Sequence, residues 1–193
     1  MLVECLMENR DFHKQPIAKI ICPNFSGILA RERLFELIHL EQGRPVKWIQ
    51  GPPGSGKTTL AADYLKTNQG RHIWYQIDET DSDLSSFYDY LGLAAEKTSA
   101  QATKRLPLLT PEHRFSLPVF TRKYFQQFYT LFSPPFTLVF DNYHIQPVES
   151  DLHDIMRMGI EEAPPGVTII FISRMPLPQA FRRLQANNFI DLI

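Results

Sequence analysis

The sequence lacks the features that mark disulfide-rich, zinc-binding and membrane-spanning proteins. It has only two cysteines in 193 residues, Cys5 and Cys22, with no Cys-x-x-Cys pair and no histidine at zinc-finger spacing. This argues against a disulfide framework and a zinc finger. No run approaches the roughly 18 apolar residues of a membrane span. The first twenty residues carry charges where a signal peptide needs an apolar core. We therefore expect a cytoplasmic protein that makes no membrane contact.

The sequence also lacks an excess of charge of either sign. It has 20 Lys and Arg against 21 Asp and Glu, a net charge of -1, which argues against a dedicated nucleic-acid module. Hydrophobic residues make up 44% and charged residues 21%, as in ordinary folded domains. The length suits one domain, or one domain with an ordered extension. We expect no direct nucleic-acid contact from this segment.

Apolar residues alternate between the short runs of strands and the wider spacing of helices. The strands are almost continuously apolar, as is typical of a parallel sheet covered by helices on both faces. This pattern predicts an α/β fold, an open doubly wound parallel sheet of about five strands. The predicted strands are residues 46–50, 72–77, 136–140, 167–172 and 189–193. The predicted helices are residues 31–40, 57–65, 81–93, 121–132, 150–162 and 177–186.

One motif points to a specific chemistry. The run Gly-Pro-Pro-Gly-Ser-Gly-Lys-Thr lies between a predicted strand and a predicted helix and matches the phosphate-binding loop. Its glycines let backbone N–H groups turn inward around phosphate oxygens, and the helix N-terminus adds a favourable dipole. Lys57 can reach the β- and γ-phosphates, and the Thr58 hydroxyl can bind Mg²⁺. The predicted nucleotide-binding residues of this loop are Gly51, Pro52, Pro53, Gly54, Ser55, Gly56, Lys57, Thr58 and Thr59.

A phosphate loop needs an acidic residue at the end of a nearby apolar strand to complete the metal site. Asp141 fits this description, although on its own it would be interpreted as a turn cap. Asn142 follows where many P-loop ATPases have a second acid that orients the attacking water. Because an amide cannot act as a base at neutral pH, we expect slow or absent hydrolysis. Arg174 ends another apolar strand and is predicted to sense the γ-phosphate, with an ordinary surface arginine as the alternative.

Several other residues have two interpretations each. His144 could contact the site or be an ordinary loop residue. The loop interpretation is favoured because no second metal-ligating residue lies at the spacing of a metal site. Six aromatic residues in and next to the 121–132 helix could stack on bases, but their spacing favours core packing: Phe120, Tyr124, Phe125, Phe128, Tyr129 and Phe132. The acidic run 78–83 and the pair Arg182-Arg183 are predicted to be solvated surface. Residues 94–118 are predicted to be an insertion or mobile loop.

The motifs together resemble the STAND class of P-loop ATPases, and within it the MalT-like ATP-dependent regulators of the LuxR type. The phosphate loop is shared by many families, so the ordered combination carries the resemblance. Its other segments are Arg-Glu-Arg-Leu at 31–34, Trp-Tyr-Gln-Ile-Asp at 74–78, Leu-Val-Phe-Asp-Asn-Tyr-His at 138–144, Ile-Ile-Phe-Ile-Ser-Arg at 169–174, and Leu-Pro at 177–178. The resemblance implies an ASCE-type sheet of order 2-3-4-1-5.

The resemblance also implies a function. ATP and ADP would bind with Mg²⁺, and ATP binding would promote self-association of the full-length protein. Arg31, together with Ala30 and Glu32, would lie near the adenine. The family has two consecutive acids where this chain has Asp141-Asn142, which leaves open whether another acid, Asp78 or Glu79, substitutes.

We therefore expect an N-terminal arm at residues 1–30 and a P-loop nucleotide-binding domain at residues 31–193. The pattern stops within the fifth predicted strand, so we expect this domain to be truncated at its C-terminal end. Its leading function is an ATP/ADP-binding regulatory switch with Lys57, Asp141 and Arg174 as catalytic residues. One alternative is a P-loop kinase that transfers the γ-phosphate to a small acceptor, but such a kinase needs an arginine-bearing lid and residues 94–118 contain few arginines. The other is an AAA-type motor ATPase, which would need a second acid beside Asp141.

Overall fold

The computed structural model describes residues 17–27, 29, 31–39, 44–99 and 106–193. Cys5, Ala30 and most of the predicted arm lie outside the described residues. No helix among the described residues is long and apolar enough to cross a membrane.

Five parallel strands form one sheet in the order β2-β3-β4-β1-β5, which confirms the predicted fold class and strand order. In the register, Val46 of β1 pairs with Ile169 of β4 and with Ile190 of β5. Because the strands are parallel, their carboxyl ends lie along one edge of the sheet, where open α/β folds bind ligands. The strands are β1 (Val46–Gln50), β2 (Arg71–Gln76), β3 (Phe136–Asp141), β4 (Val167–Ser173) and β5 (Ile190–Leu192).

Helices connect the strands, and short 3-10 turns precede several of them. The helices are α1 (Glu32–His39), α2 (Lys57–Asn68), α3 (Leu84–Thr98), α4 (Leu117–Thr130), α5 (Leu152–Glu161) and α6 (Arg182–Ala186). The 3-10 turns are Ala18–Ile20, Glu79–Ser82, Pro111–Ser116, Tyr143–Ile145 and Gln179–Phe181.

The two faces of the sheet are covered differently. One face packs against an aromatic layer that includes the six predicted core rings, all of them buried: Phe120, Tyr124, Phe125, Phe128, Tyr129 and Phe132. The other face is covered mainly by α2, where Ala61 and Ala62 let the helix backbone approach the sheet closely. The core-packing interpretation of the aromatic helix is therefore confirmed.

Three local predictions were wrong. Helix α3 does not begin at residue 81; Asp83 caps it by accepting hydrogen bonds from the N–H groups of Ser85 and Ser86. The predicted loop 94–118 is shorter, because α3 continues to Thr98 and the turn Pro111–Ser116 leads into α4. The predicted helix 177–186 is a 3-10 turn followed by the single short helix α6.

Candidate nucleotide-binding site

The loop between β1 and α2 has the tight geometry of a phosphate cradle. Gly54 and Gly56 have positive φ angles of 76° and 80°, a conformation that residues with a Cβ rarely adopt. A Cβ on Gly56 would lie 2.8 Å from Nη2 of Arg31. The Gly51 N–H donates to the Ser173 carbonyl at 3.3 Å and thereby fixes the start of the loop against β4.

Lys57 is the first residue of α2, and its ammonium lies inside this loop. Nζ donates to the carbonyl oxygens of Gly51 at 2.7 Å and Pro52 at 2.8 Å, and to Oγ of Ser55 at 3.2 Å. Partial burial and then the positive charge of Arg174 lower the pKa of Lys57, whereas the Asp141 carboxylate opposes this shift. Phosphate oxygens could replace these three oxygens as acceptors, so the loop and its lysine fit a phosphate group.

Thr58 and Asp141 are 83 positions apart in the sequence but lie side by side. The Thr58 hydroxyl is 3.2 Å from both carboxylate oxygens of Asp141, and the Asn142 N–H donates to Oδ1 at 2.8 Å. Burial raises the pKa of Asp141, while the hydrogen bonds from Asn142 and Thr58 and the charge of Lys57 oppose this. A hydroxyl and a carboxylate are hard oxygen ligands of the kind that Mg²⁺ takes beside phosphate oxygens. The two residues therefore fit the predicted magnesium site.

Arg174 and His144 lie at the same edge of the sheet. Arg174 follows β4 and is exposed; its charge helps to lower the pKa values of Lys57 and His144 and opposes the rise that burial causes in the pKa of Asp141. His144 lies in the turn Tyr143–Ile145, where partial burial and then the charges of Arg174 and Lys57 lower its pKa. Its Nδ1 is buried without a hydrogen-bond partner among the described residues. Both interpretations of His144, as a site contact and as a loop residue, remain predictions.

Arg31 reaches the phosphate loop from the segment before α1. Its Nη1 donates to the Ser55 carbonyl at 3.1 Å, and its guanidinium lies over Gly56. The exposed guanidinium therefore covers one side of the loop. The predicted adenine contact of Arg31 and the predicted nucleotide contact of Thr59 remain predictions.

A cleft of about 490 Å³ opens beside the Thr58–Asp141 pair. Its polar wall includes two amide side chains, Asn142 and Gln76, and Gln76 ends β2 opposite Asp141 in the strand register. Its other wall comes from the N-terminal segment. The lining residues are Ala18, Ile21, Pro23, Thr58, Trp74, Gln76, Asp141 and Asn142. Sequence reasoning assigned no site role to Gln76, although it lies within the 74–78 segment of the resemblance, and it missed the N-terminal residues, which belong to no recognisable motif.

The acidic run after β2 is not simply solvated surface, contrary to the prediction. Asp81 is fully buried, and it accepts hydrogen bonds from the Tyr75 hydroxyl at 2.6 Å and from the Asp78 N–H at 2.8 Å. Lys19 forms ion pairs with Asp81 at 2.9 Å and with Asp78 at 2.7 Å. The Asp78 carboxylate is therefore engaged by a lysine and not free to replace the acid that is missing at Asn142. The pair Arg182-Arg183 is exposed, as predicted.

The fold and the loop geometry define an α/β domain of the P-loop NTPase type. No family model matches the chain. It is 28% identical over 174 residues to the HTH-type transcriptional regulator MalT of Vibrio cholerae, an alignment that covers 84% of this chain and 18% of that protein. MalT of Serratia proteamaculans is also 28% identical, over 82% of this chain and 17% of its own length. The similarity to MalT regulators that the motifs predicted is therefore confirmed, and the chain spans about a fifth of the length of these curated relatives.

A solved structure of C. elegans PCH-2 aligns with 83% of this chain and 37% of its own, at 17% identity and a TM-score of 0.31.

Proposed function

We propose that this chain is the ATP/ADP-binding switch domain of a transcriptional regulator. The observation that carries the proposal is the contact of Thr58 with Asp141 at 3.2 Å, directly beside a complete phosphate loop. In this assignment, loop N–H groups and Lys57 would bind the phosphates, and Thr58 and Asp141 would hold a Mg²⁺ ion beside them. Bound Mg²⁺ would neutralise charge on the β- and γ-phosphates.

Three positions favour a switch over a rapid hydrolase. An enzyme that turns over quickly needs a base or a water-orienting group next to the γ-phosphate. Asn142 and Gln76 line the cleft there, and both are amides that can bind a water but cannot accept its proton. Asp78, one of the acids considered as a substitute, is paired with Lys19. We infer that ATP stays bound long enough for its presence to act as a signal.

The regulatory role rests on the similarity to MalT, which is named as an HTH-type transcriptional regulator. The chain's near-neutral charge supports DNA contact through another part of a longer protein. Arg174, exposed at the carboxyl edge beside Lys57, would respond to the γ-phosphate and so distinguish ATP from ADP. Nucleotide-dependent self-association of the full-length protein is part of this proposal.

The first experiment identifies any nucleotide that the purified protein carries. The protein is denatured, and the released small molecules are separated and identified by mass spectrometry. We expect ADP or ATP at near-stoichiometric level, and none from Lys57→Ala. If the wild-type protein is empty, titration with Mg-ATP follows; no measurable binding of Mg-ATP would overturn the proposal.

Asn142→Asp tests the proposed cause of slow hydrolysis. The substitution restores the second acid, and aspartate tolerates the positive φ of 60° at this position about as well as asparagine does. Because a positioned acid–base group contributes roughly 10²- to 10⁴-fold, we expect at least a tenfold faster release of phosphate. The matched control, Asn188→Asp, makes the same change at another positive-φ asparagine far from the site in sequence. Rapid turnover by the wild-type protein would contradict the assignment.

A further inference from the structure

The N-terminal segment 17–25 crosses the edge strand β2 and reaches the proposed metal site. Its turn Ala18–Ile20 packs against β2 and α3, and Ile20 joins the aromatic core. Cys22 packs with the core of the opposite face. The segment therefore covers the edge of the sheet from one face to the other.

Lys19 fixes this segment in place. Its side chain is only 9% exposed, and its ammonium contacts Asp78 at 2.7 Å, Asp81 at 2.9 Å and the Thr80 hydroxyl at 3.2 Å. The ammonium also lies 5.3 Å from the ring centre of Tyr75 and 5.1 Å from that of Tyr90. Buried charges are costly unless they are paired, so these contacts define one position for the segment.

The neighbours of Lys19 in the segment line the cleft beside the site. Ala18, Ile21 and Pro23 line the same cleft of about 490 Å³ as Thr58 and Asp141. Burial, and then the negative charge of Asp141, raise the pKa of the Cys22 thiol to about 11, so Cys22 also lies within electrostatic range of Asp141. These three residues thus form an apolar wall of the same cleft that Thr58 and Asp141 line.

We propose that Lys19 is a positioning residue for the nucleotide site, and that it holds Ala18, Ile21 and Pro23 as a wall that shields the Thr58–Asp141 metal site from water. The proposal rests on the proposed function and deepens it. Electrostatic attraction between a metal and its oxygen ligands is stronger where the surroundings exclude water. The wall therefore favours the nucleotide state that depends most on Mg²⁺ at this site, namely Mg-ATP, over metal-free ADP.

The test compares the dissociation constants of Mg-ATP and of ADP in EDTA, measured on the same protein preparations. Lys19→Met alone leaves Asp81 buried without its cation, so the main variant is Lys19→Met with Asp81→Asn, which removes both charges. We expect this pair to weaken Mg-ATP binding by roughly tenfold, as is usual when a group that supports a metal ligand is lost. Metal-free ADP should change by less than twofold, and Lys19→Arg should restore part of the Mg-ATP affinity.

Two single variants separate the wall from general stability. Ile21→Ala truncates a half-exposed wall residue. It should also lower the affinity for Mg-ATP, by a smaller factor than Lys19→Met/Asp81→Asn does. Leu29→Ala, at a highly exposed position that does not line the cleft, should leave both affinities unchanged.

Equal weakening of Mg-ATP and metal-free ADP would show a merely structural role for Lys19 and overturn the inference. Unchanged affinities would overturn it as well, while leaving the proposed function intact. A wild-type protein that binds neither nucleotide would overturn both proposals.

Discussion

The phosphate loop and the cluster around Lys19 each centre on one lysine ammonium surrounded by oxygen atoms, yet they are built in opposite ways. The acceptors of Lys57 are no more than six positions away in the sequence, and two of them are backbone carbonyls. The acceptors of Lys19 are about 60 positions away, and all are side chains.

The two lysines also differ in what surrounds them. The Lys57 ammonium lies in the phosphate loop at the edge of the sheet and its side chain is partly exposed, whereas the Lys19 side chain is 9% exposed and its partner Asp81 is fully buried. A partly exposed lysine such as Lys57 can replace its carbonyl and hydroxyl acceptors by oxygens of a ligand at little cost in free energy, so it is suited to ligand binding. A lysine that neutralises a buried carboxylate stabilises one folded arrangement, because leaving either charge buried and unpaired is strongly destabilising. Similar lysine–oxygen contacts therefore suit ligand binding in the phosphate loop and the positioning of a chain segment at Lys19.

The largest expected effect is on stability, at Lys19. Lys19→Met removes the cation from the buried Asp81 carboxylate and should lower the free energy of unfolding by about 3–5 kcal/mol. Urea denaturation followed by fluorescence measures this. Adding Asp81→Asn should recover part of the loss, since no buried charge then remains unpaired. A loss below about 1 kcal/mol would mean that the pair behaves as a surface ion pair, and the contrast between the two lysines would disappear.

A smaller effect, on binding alone, is expected at Lys57. Lys57→Met should weaken nucleotide binding by about 1.5–3 kcal/mol, the usual contribution of hydrogen bonds to a charged group. The free energy of unfolding should stay within about 0.5 kcal/mol of the wild-type value, because the side chain is not buried. Calorimetric titration and urea denaturation measure the two quantities. Lys66→Met, an exposed lysine later in α2, is the control and should change neither.

The smallest expected effect is a change in the pH dependence of stability. Burial alone would raise the pKa of Asp78, but hydrogen bonds from Lys19 and Thr80 lower it below its ordinary value. A lowered folded-state pKa contributes stability above the unfolded value, and this contribution is lost as the pH falls through the folded value.

We therefore expect the free energy of unfolding to fall as the medium is acidified below the ordinary range of aspartate pKa values. The fall should be shallower in Lys19→Met/Asp81→Asn, where Asp78 has no ammonium partner. Denaturation curves at several pH values measure the slopes. Identical slopes in the two proteins would contradict the role of Lys19 in lowering the Asp78 pKa.

The parts of the site that the sequence predicts are those whose residues lie close together in the chain. Lys57 and Thr58 belong to one continuous motif whose backbone conformation follows from its glycines, so the structure has the predicted loop. Asp141 was predictable because an apolar strand ends there. The role of Asp81 was not predictable, because an acidic run is usually solvated, and only the packing of residue 19 against β2 buries it.

Cap and helix boundaries were the weaker local predictions. Asp81, Ser82 and Asp83 are all residue types that cap helices, and the sequence does not decide among them. Asp81 is taken up by the Tyr75 hydroxyl and the Asp78 N–H, which leaves Asp83 to cap α3. Hydrogen bonds that Asp81 accepts from residues before the helix therefore decided where the helix begins.

By itself, the sequence determined the parallel α/β sheet, its strand order through the family resemblance, the phosphate loop and the position of Asp141. These features follow from local periodicity and from motifs whose members are close in the chain. The tertiary structure alone paired Lys19 with a buried carboxylate and placed Ala18, Ile21 and Pro23 in the same cleft as Thr58 and Asp141. The physical reason is that the free energy of a buried charge depends on which groups surround it in space, and local sequence patterns do not specify those groups.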